Sequence, residues 1–68
     1  MNSYTKAQLD AMPDLPGSTS SAKLKVQDDT ARVWLVRRKT TFGQTQYMVK
    51  NETKSGNTWV LTSEYSVE

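Results

Sequence analysis

Neither cysteine nor histidine occurs in the 68 residues of the chain. Without cysteine no disulfide framework can compensate for a small core, and a reducing compartment is the simplest setting. Without either residue type a zinc site would rest on carboxylates alone. A nucleophile would need Ser, Thr or Lys activated by an acid, and no spacing in the chain suggests such a pair. Glycine is scarce too: Gly17, Gly43 and Gly56 stand alone, so no glycine-rich run exists to cradle a phosphate. No stretch approaches the ~20 consecutive apolar residues that span a bilayer. Met1 to Met12 has neither the basic segment nor the apolar run of a secretory signal. These absences predict a soluble, cytoplasmic, non-enzymatic protein with no cofactor, no metal and no membrane partner. On that footing the acceptor pattern Asn51-Glu52-Thr53 is a coincidence of sequence.

What is present has an uneven layout. The formal net charge is +2, but eight of the nine basic residues fall between positions 23 and 54, against only Asp28, Asp29 and Glu52. A basic middle and slightly acidic ends permit an anionic partner without requiring one. The length predicts one small domain over residues 1–68, hiding only about 60% of its surface on folding.

Three parts follow from local patterning. In residues 4–16, Thr5-Lys6-Ala7-Gln8 fits a capping box, and Tyr4 and Leu9 stand where a hydrophobic staple would put them. Pro13 disfavours helical geometry at Met12, so the helix is short and must dock to persist. Leu9 and Met12 supply its apolar side, and Asp14-Leu15-Pro16-Gly17 turns the chain. Residues 17–21 form a Gly/Ser/Thr linker. Residues 22–67 alternate as an antiparallel sheet.

Each turn of the sheet suggests a register. A two-residue loop at Asp28-Asp29 sets Leu24 opposite Val33, Val26 opposite Ala31 and Ala22 opposite Leu35, although a slip of one residue would mix the faces. The aspartate pair is read as turn chemistry rather than a metal site. Thr41-Phe42-Gly43 is a three-residue loop that sets Leu35 opposite Val49 and Arg37 opposite Tyr47, with Gly43 in the left-handed region. A five-residue loop from Glu52 to Gly56 then pairs Val49 with Trp59 and Tyr47 with Leu61. The tail still alternates, Tyr65 and Val67 against Glu64 and Glu68, and could continue the strand or form a fifth.

The expected fold is therefore α+β: a short N-terminal helix packed on one face of a four-stranded antiparallel meander, with room for a fifth strand. The covered face would hold Ala22, Leu24, Val26, Ala31, Val33, Leu35, Tyr47, Val49, Trp59 and Leu61. Full burial of Leu24, Val33, Leu35, Val49, Trp59 and Leu61 would contribute about 1.5 to 3 kcal/mol each before chain entropy is subtracted. Marginal stability, or stability through self-association, is the expectation for such a core.

The other face is the candidate binding surface: Lys23, Lys25, Arg32, Trp34, Val36, Arg38, Met48, Lys50 and Val60, with Gln46, Thr58 and Thr62. Trp34 would lie between Lys23 and Lys50, and Lys25 would oppose Arg32. An apolar patch ringed by cations has the form of an interaction site. The plainer alternative is Trp34 lying under lysine stems as local packing. Arg37, Arg38 and Lys39 form a second anion patch, or simply a charged strand end that resists edge pairing.

A larger protein is the favoured partner, since Trp, Met and Arg are enriched at interfaces. Nucleic acid is the alternative, with Trp34 stacking on a base and the cations meeting phosphates. A homodimer burying the same face is the third. By association, chains this small without Cys or His are typical of a phage, plasmid or compact bacterial operon, acting in the host cytoplasm. An inhibitor or accessory factor is the resulting expectation.

Overall fold

Thr5 starts the one helix. Its hydroxyl accepts the Gln8 N–H at 3.1 Å, while the Gln8 side chain accepts the Thr5 N–H at 2.9 Å, so the expected capping box is complete. The computed structural model describes residues 3–67. Met1 and Asn2, which open the segment read for a secretory signal, and Glu68, the end of the expected tail alternation, lie outside the described residues.

Helix α1 covers only Lys6–Asp10. Four strands follow: β1 Ala22–Gln27, β2 Ala31–Lys39, β3 Thr45–Ser55 and β4 Thr58–Val67. They form one antiparallel sheet in the order β1-β2-β3-β4. Leu9 of α1 is fully buried in a cluster with Val33, Leu35 and Val49, flanked by Tyr4, Met12, Val26, Tyr47, Tyr65 and Val67. No helix among the described residues is long and apolar enough to cross a membrane.

The central hairpin has the expected register, Leu35 opposite Val49 and Arg37 opposite Tyr47. Gly43 closes its loop at φ 82°, donating to Thr40 O, and Thr40 N–H donates to Gln44 O. Glycine is required there because a Cβ is disfavoured at positive φ.

The other two hairpins depart from expectation because each combines a displaced turn with a β-bulge. In the first, Asp28 takes the turn position. Its carboxylate accepts the backbone N–H groups of Thr30 and Ala31, each at 2.8 Å, and its own N–H donates to Ala31 O. The loop residues are thus Asp29 and Thr30, and Gln27 opposes Arg32 where Lys25 was expected to. Val26 opposes Val33, then the register shifts between Leu24 and Val26, so that Leu24 opposes Trp34, Lys23 opposes Leu35 and Ala22 opposes Val36. Beyond the bulge every β1 side chain changes face. Ala22 and Leu24 leave the expected core face, and Lys23 and Lys25 move onto it.

That exchange is compensated. Lys25, its side chain only 8% exposed, donates to Met12 O at 3.1 Å and pairs with Asp14 at 2.5 Å, so its ammonium fastens the exit of α1. Leu24 is still buried, because the segment 15–19 runs along the outer edge of β1. Leu15 N–H donates to Leu24 O, Leu24 N–H to Ser18 Oγ, and Thr19 N–H to Ala22 O.

In the third hairpin the expected five-residue loop is absent. Strand β3 continues to Ser55, and Gly56 and Asn57 make a two-residue turn with Gly56 at φ 62°. Lys54 opposes Trp59, Thr53 opposes Val60 and Glu52 opposes Leu61. A second shift between Asn51 and Glu52 places Thr62 as the extra residue, after which Val49 opposes Tyr65 and Tyr47 opposes Val67. The tail is therefore the lower half of β4 rather than a fifth strand. Tyr65 and Val67 take the core positions assigned to Trp59 and Leu61.

Candidate functional site

The first bulge and the tight turn at Gly56-Asn57 redraw the candidate face. Arg32, Trp34, Val36, Arg38, Met48 and Lys50 share it as expected, since Arg32, Trp34, Val36 and Arg38 of β2 oppose Glu52, Lys50, Met48 and Gln46 of β3. Lys23 and Lys25 do not, having been carried to the opposite face by the first bulge. Val60 does not either, because it opposes Thr53, which in turn opposes Ala31 on the core side of the sheet. In their place the face gains Glu52, Lys54, Trp59 and Leu61, with Ala22 and Leu24 at the β1 margin.

At its centre is a cluster that the expected registers could not assemble. The Arg32 guanidinium carbon lies 4.4 Å from the ring centroid of Trp59 and 5.3 Å from that of Trp34. One oxygen of Glu52 accepts both the Arg32 Nε–H at 2.6 Å and the Trp34 indole N–H at 2.5 Å. Local sequence explains the placement. Arg32 and Trp34 are two apart on β2 and so point the same way, Glu52 is directly across from Arg32, and Trp59 reaches over from the neighbouring strand. Each component fixes another: the carboxylate orients guanidinium and indole, and the second indole closes over the cation. Lys54 adds a second ammonium 5.9 Å from the Trp59 ring.

The electrostatics differ from expectation. Four cations on this face, Arg32, Arg38, Lys50 and Lys54, are interleaved with Glu52 and Glu64, and Lys50 approaches Glu64 at 3.9 Å. The surface is aromatic and mixed in charge, four cations to two carboxylates, with Val36 and Met48 half-buried beside Trp34. Arg37, Arg38 and Lys39 are all exposed at the far end of β2, but strand alternation splits them. Arg37 opposes Tyr47 on the core side and Arg38 opposes Gln46 on the candidate face.

On the core side, Lys6 pairs with Asp10 at 2.6 Å and lies 4.5 Å from the Tyr47 ring, and the carboxylate raises its pKa. The Lys25 ammonium holds the Asp14 carboxyl below its ordinary value. A recess of about 620 Å³ lies between α1 and the ends of β3 and β4, away from the aromatic cluster. Among the described residues no group of three acidic side chains is placed to hold a metal ion.

The sequence pattern hid Glu52 and Lys54 in a supposed loop and Trp59 and Leu61 in a supposed core. Gly56-Asn57 between alternating segments was the available signal, since a glycine-led pair is a hairpin turn in its own right. Comparison with protein-family models, curated proteins and solved structures finds no match to this chain.

Proposed function

We propose that the chain is a non-enzymatic protein-binding module, an inhibitor or accessory factor, that docks on a larger protein through the face carrying Trp34, Arg32 and Trp59. Leu9 of α1 clusters with Val33, Leu35 and Val49 on the opposite side of the sheet, which leaves this face for a partner. The observation that carries the reading is the Arg32 guanidinium held between two indoles by Glu52. Trp and Arg dominate the energetics of protein interfaces, and side chains already fixed in place lose little freedom on binding. The lack of His and Cys in the sequence supports a binding rather than a catalytic role.

Charge separates this reading from nucleic acid. With Lys23 and Lys25 on the other face and two carboxylates among the remaining cations, the surface suits a mixed protein epitope better than a run of phosphates.

Immobilised wild-type protein, challenged with cell extract at low and high salt, is expected to retain a protein that Thr53→Lys also retains and Trp59→Ala loses. Truncating an aromatic anchor should cost about 2 kcal/mol or more, roughly thirtyfold in affinity. Retention unchanged in Trp59→Ala and Met48→Asp would overturn the reading. So would a nuclease-sensitive ligand whose binding falls steeply with salt.

A further inference from the structure

The two edges of the sheet are treated differently. The edge of β1 is occupied by the chain's own residues 15–19, through the bonds from Leu15 and Thr19 N–H to Leu24 and Ala22 O and from Leu24 and Ala22 N–H to the Ser18 and Thr19 hydroxyls. The edge of β4 has no such cover: among the described residues its backbone is paired to β3 alone. Over its ten residues β4 carries one charge, Glu64, and neither proline nor lysine, the usual means of discouraging strand addition.

Exposure points the same way. Among the described residues, two of the three exposed large apolar side chains are consecutive on this strand, Val60 at 49% and Leu61 at 47%, and they lie on opposite faces. A layer laid on either face would shield only one of them. A strand added beside β4 shields both.

We propose that β4 pairs antiparallel with β4 of a second copy, joining two four-stranded sheets into one of eight. The bulge sets the register in which the strand is complementary to itself across its whole length. Alternation reverses at Thr62, so residues placed symmetrically about Thr62 and Ser63 share a face: Val60 with Tyr65, Leu61 with Glu64, and Trp59 with Ser66. In that register Glu64 of one copy stands beside Leu61 of the other, and the two carboxylates do not meet. The assembly closes at two copies, because the β1 edge that a further copy would need is already filled. The inference concerns the edge of the sheet and stands whether or not the aromatic face binds a partner. If both hold, the dimer displays two Arg32 clusters on one continuous surface.

Light scattering on the whole chain across micromolar to millimolar concentrations tests it. The expected mass is twice 7.7 kDa, halved by Val60→Lys with the circular dichroism unchanged. Because the chain has no cysteine, Thr62→Cys reports the contact independently and should form a disulfide-linked dimer under mild oxidation, while Thr41→Cys in the opposite hairpin should not. A monomer at millimolar concentration would overturn the proposal. A dimer that survives Val60→Lys, fails to cross-link at Thr62 and dissolves in Trp34→Ala would also overturn it, by moving the contact to the aromatic face. If Val60→Lys unfolds the chain, the Thr62→Cys cross-link decides.

Discussion

Glu52 links strand pairing to the aromatic face, because one of its oxygens serves two donors. Its side chain is 20% exposed and that of Arg32 22%, so water screens the pair only in part. Removing the carboxylate should cost about 1 to 2 kcal/mol, from hydrogen bonds that involve a charged group and are partly screened. Glu52→Ala is accordingly expected to lower the urea midpoint and to shift tryptophan emission to longer wavelength as the Trp34 indole loses its acceptor. Asp28 gives a pH-dependent counterpart. Its carboxylate accepts the Thr30 and Ala31 N–H groups, which hold its pKa below the ordinary value. A carboxyl depressed in the folded state stabilises above its unfolded pKa, about 3.9, and loses that contribution as pH falls through the folded value. The melting temperature of Asp28→Ala should therefore lie below wild type at neutral pH, and the gap should narrow as acid protonates the wild-type side chain.

At the scale of elements, the turns decide which side chains face which way. Gly56 sits at φ 62° as the first residue of the two-residue turn between β3 and β4. An L-residue there is strained by about 1 kcal/mol or more, so Gly56→Ala should destabilise by roughly that amount in urea titration. It should also disturb Trp59 fluorescence more than any signal from α1. The helix cap and the central hairpin were legible in the sequence because each rests on adjacent residues, Thr5 with Gln8 and Thr41 to Gly43. The bulges were not. Trp59, Leu61, Tyr65 and Val67 all alternate in phase along the sequence, which reads as one continuous face. The extra residue at Thr62 puts the first two on one side and the last two on the other. Lys23 and Lys25 were misplaced in the same way, since a period of two carries no mark of an inserted residue. Thus Trp34, Arg32, Met48 and Lys50 could be assigned from the middle strands, Glu52 and Trp59 depended on placing the turn at Gly56-Asn57, and the phase of Tyr65 and Val67 depended on a bulge that leaves no mark in the pattern.

The whole molecule is longer than its size requires. Its radius of gyration is 12.1 Å, against about 11 Å for a typical compact chain of this length. Its long dimension of 39 Å is close to the ~36 Å that a strand as long as β3 spans. The fully buried core is correspondingly small, and Leu9 is the helix's only member of it. Leu→Ala in a core typically costs about 2 to 5 kcal/mol, which is comparable with the ~3 to 5 kcal/mol available to a domain this small. Leu9→Ala is expected to abolish the cooperative urea transition and the near-ultraviolet dichroism, and a clear transition at an unchanged midpoint would show that α1 contributes little.

The tie between Tyr4 and Tyr65 gives this architecture an order in time. The Tyr65 hydroxyl accepts the Tyr4 N–H at 2.7 Å and donates to Tyr4 O at 3.3 Å, joining residues 61 positions apart. The hairpins can zip one after another through short loops, but closing so long a segment costs more entropy and is rewarded only when the intervening strands are in place. The segment around α1 precedes the strands along the chain, yet its tie to β4 is expected to form after they have paired. Until β4 is in place, Leu9 and its strand partners lack the Tyr65 and Val67 side of their cluster, and that interval is when the chain is expected to be most prone to aggregation and proteolysis.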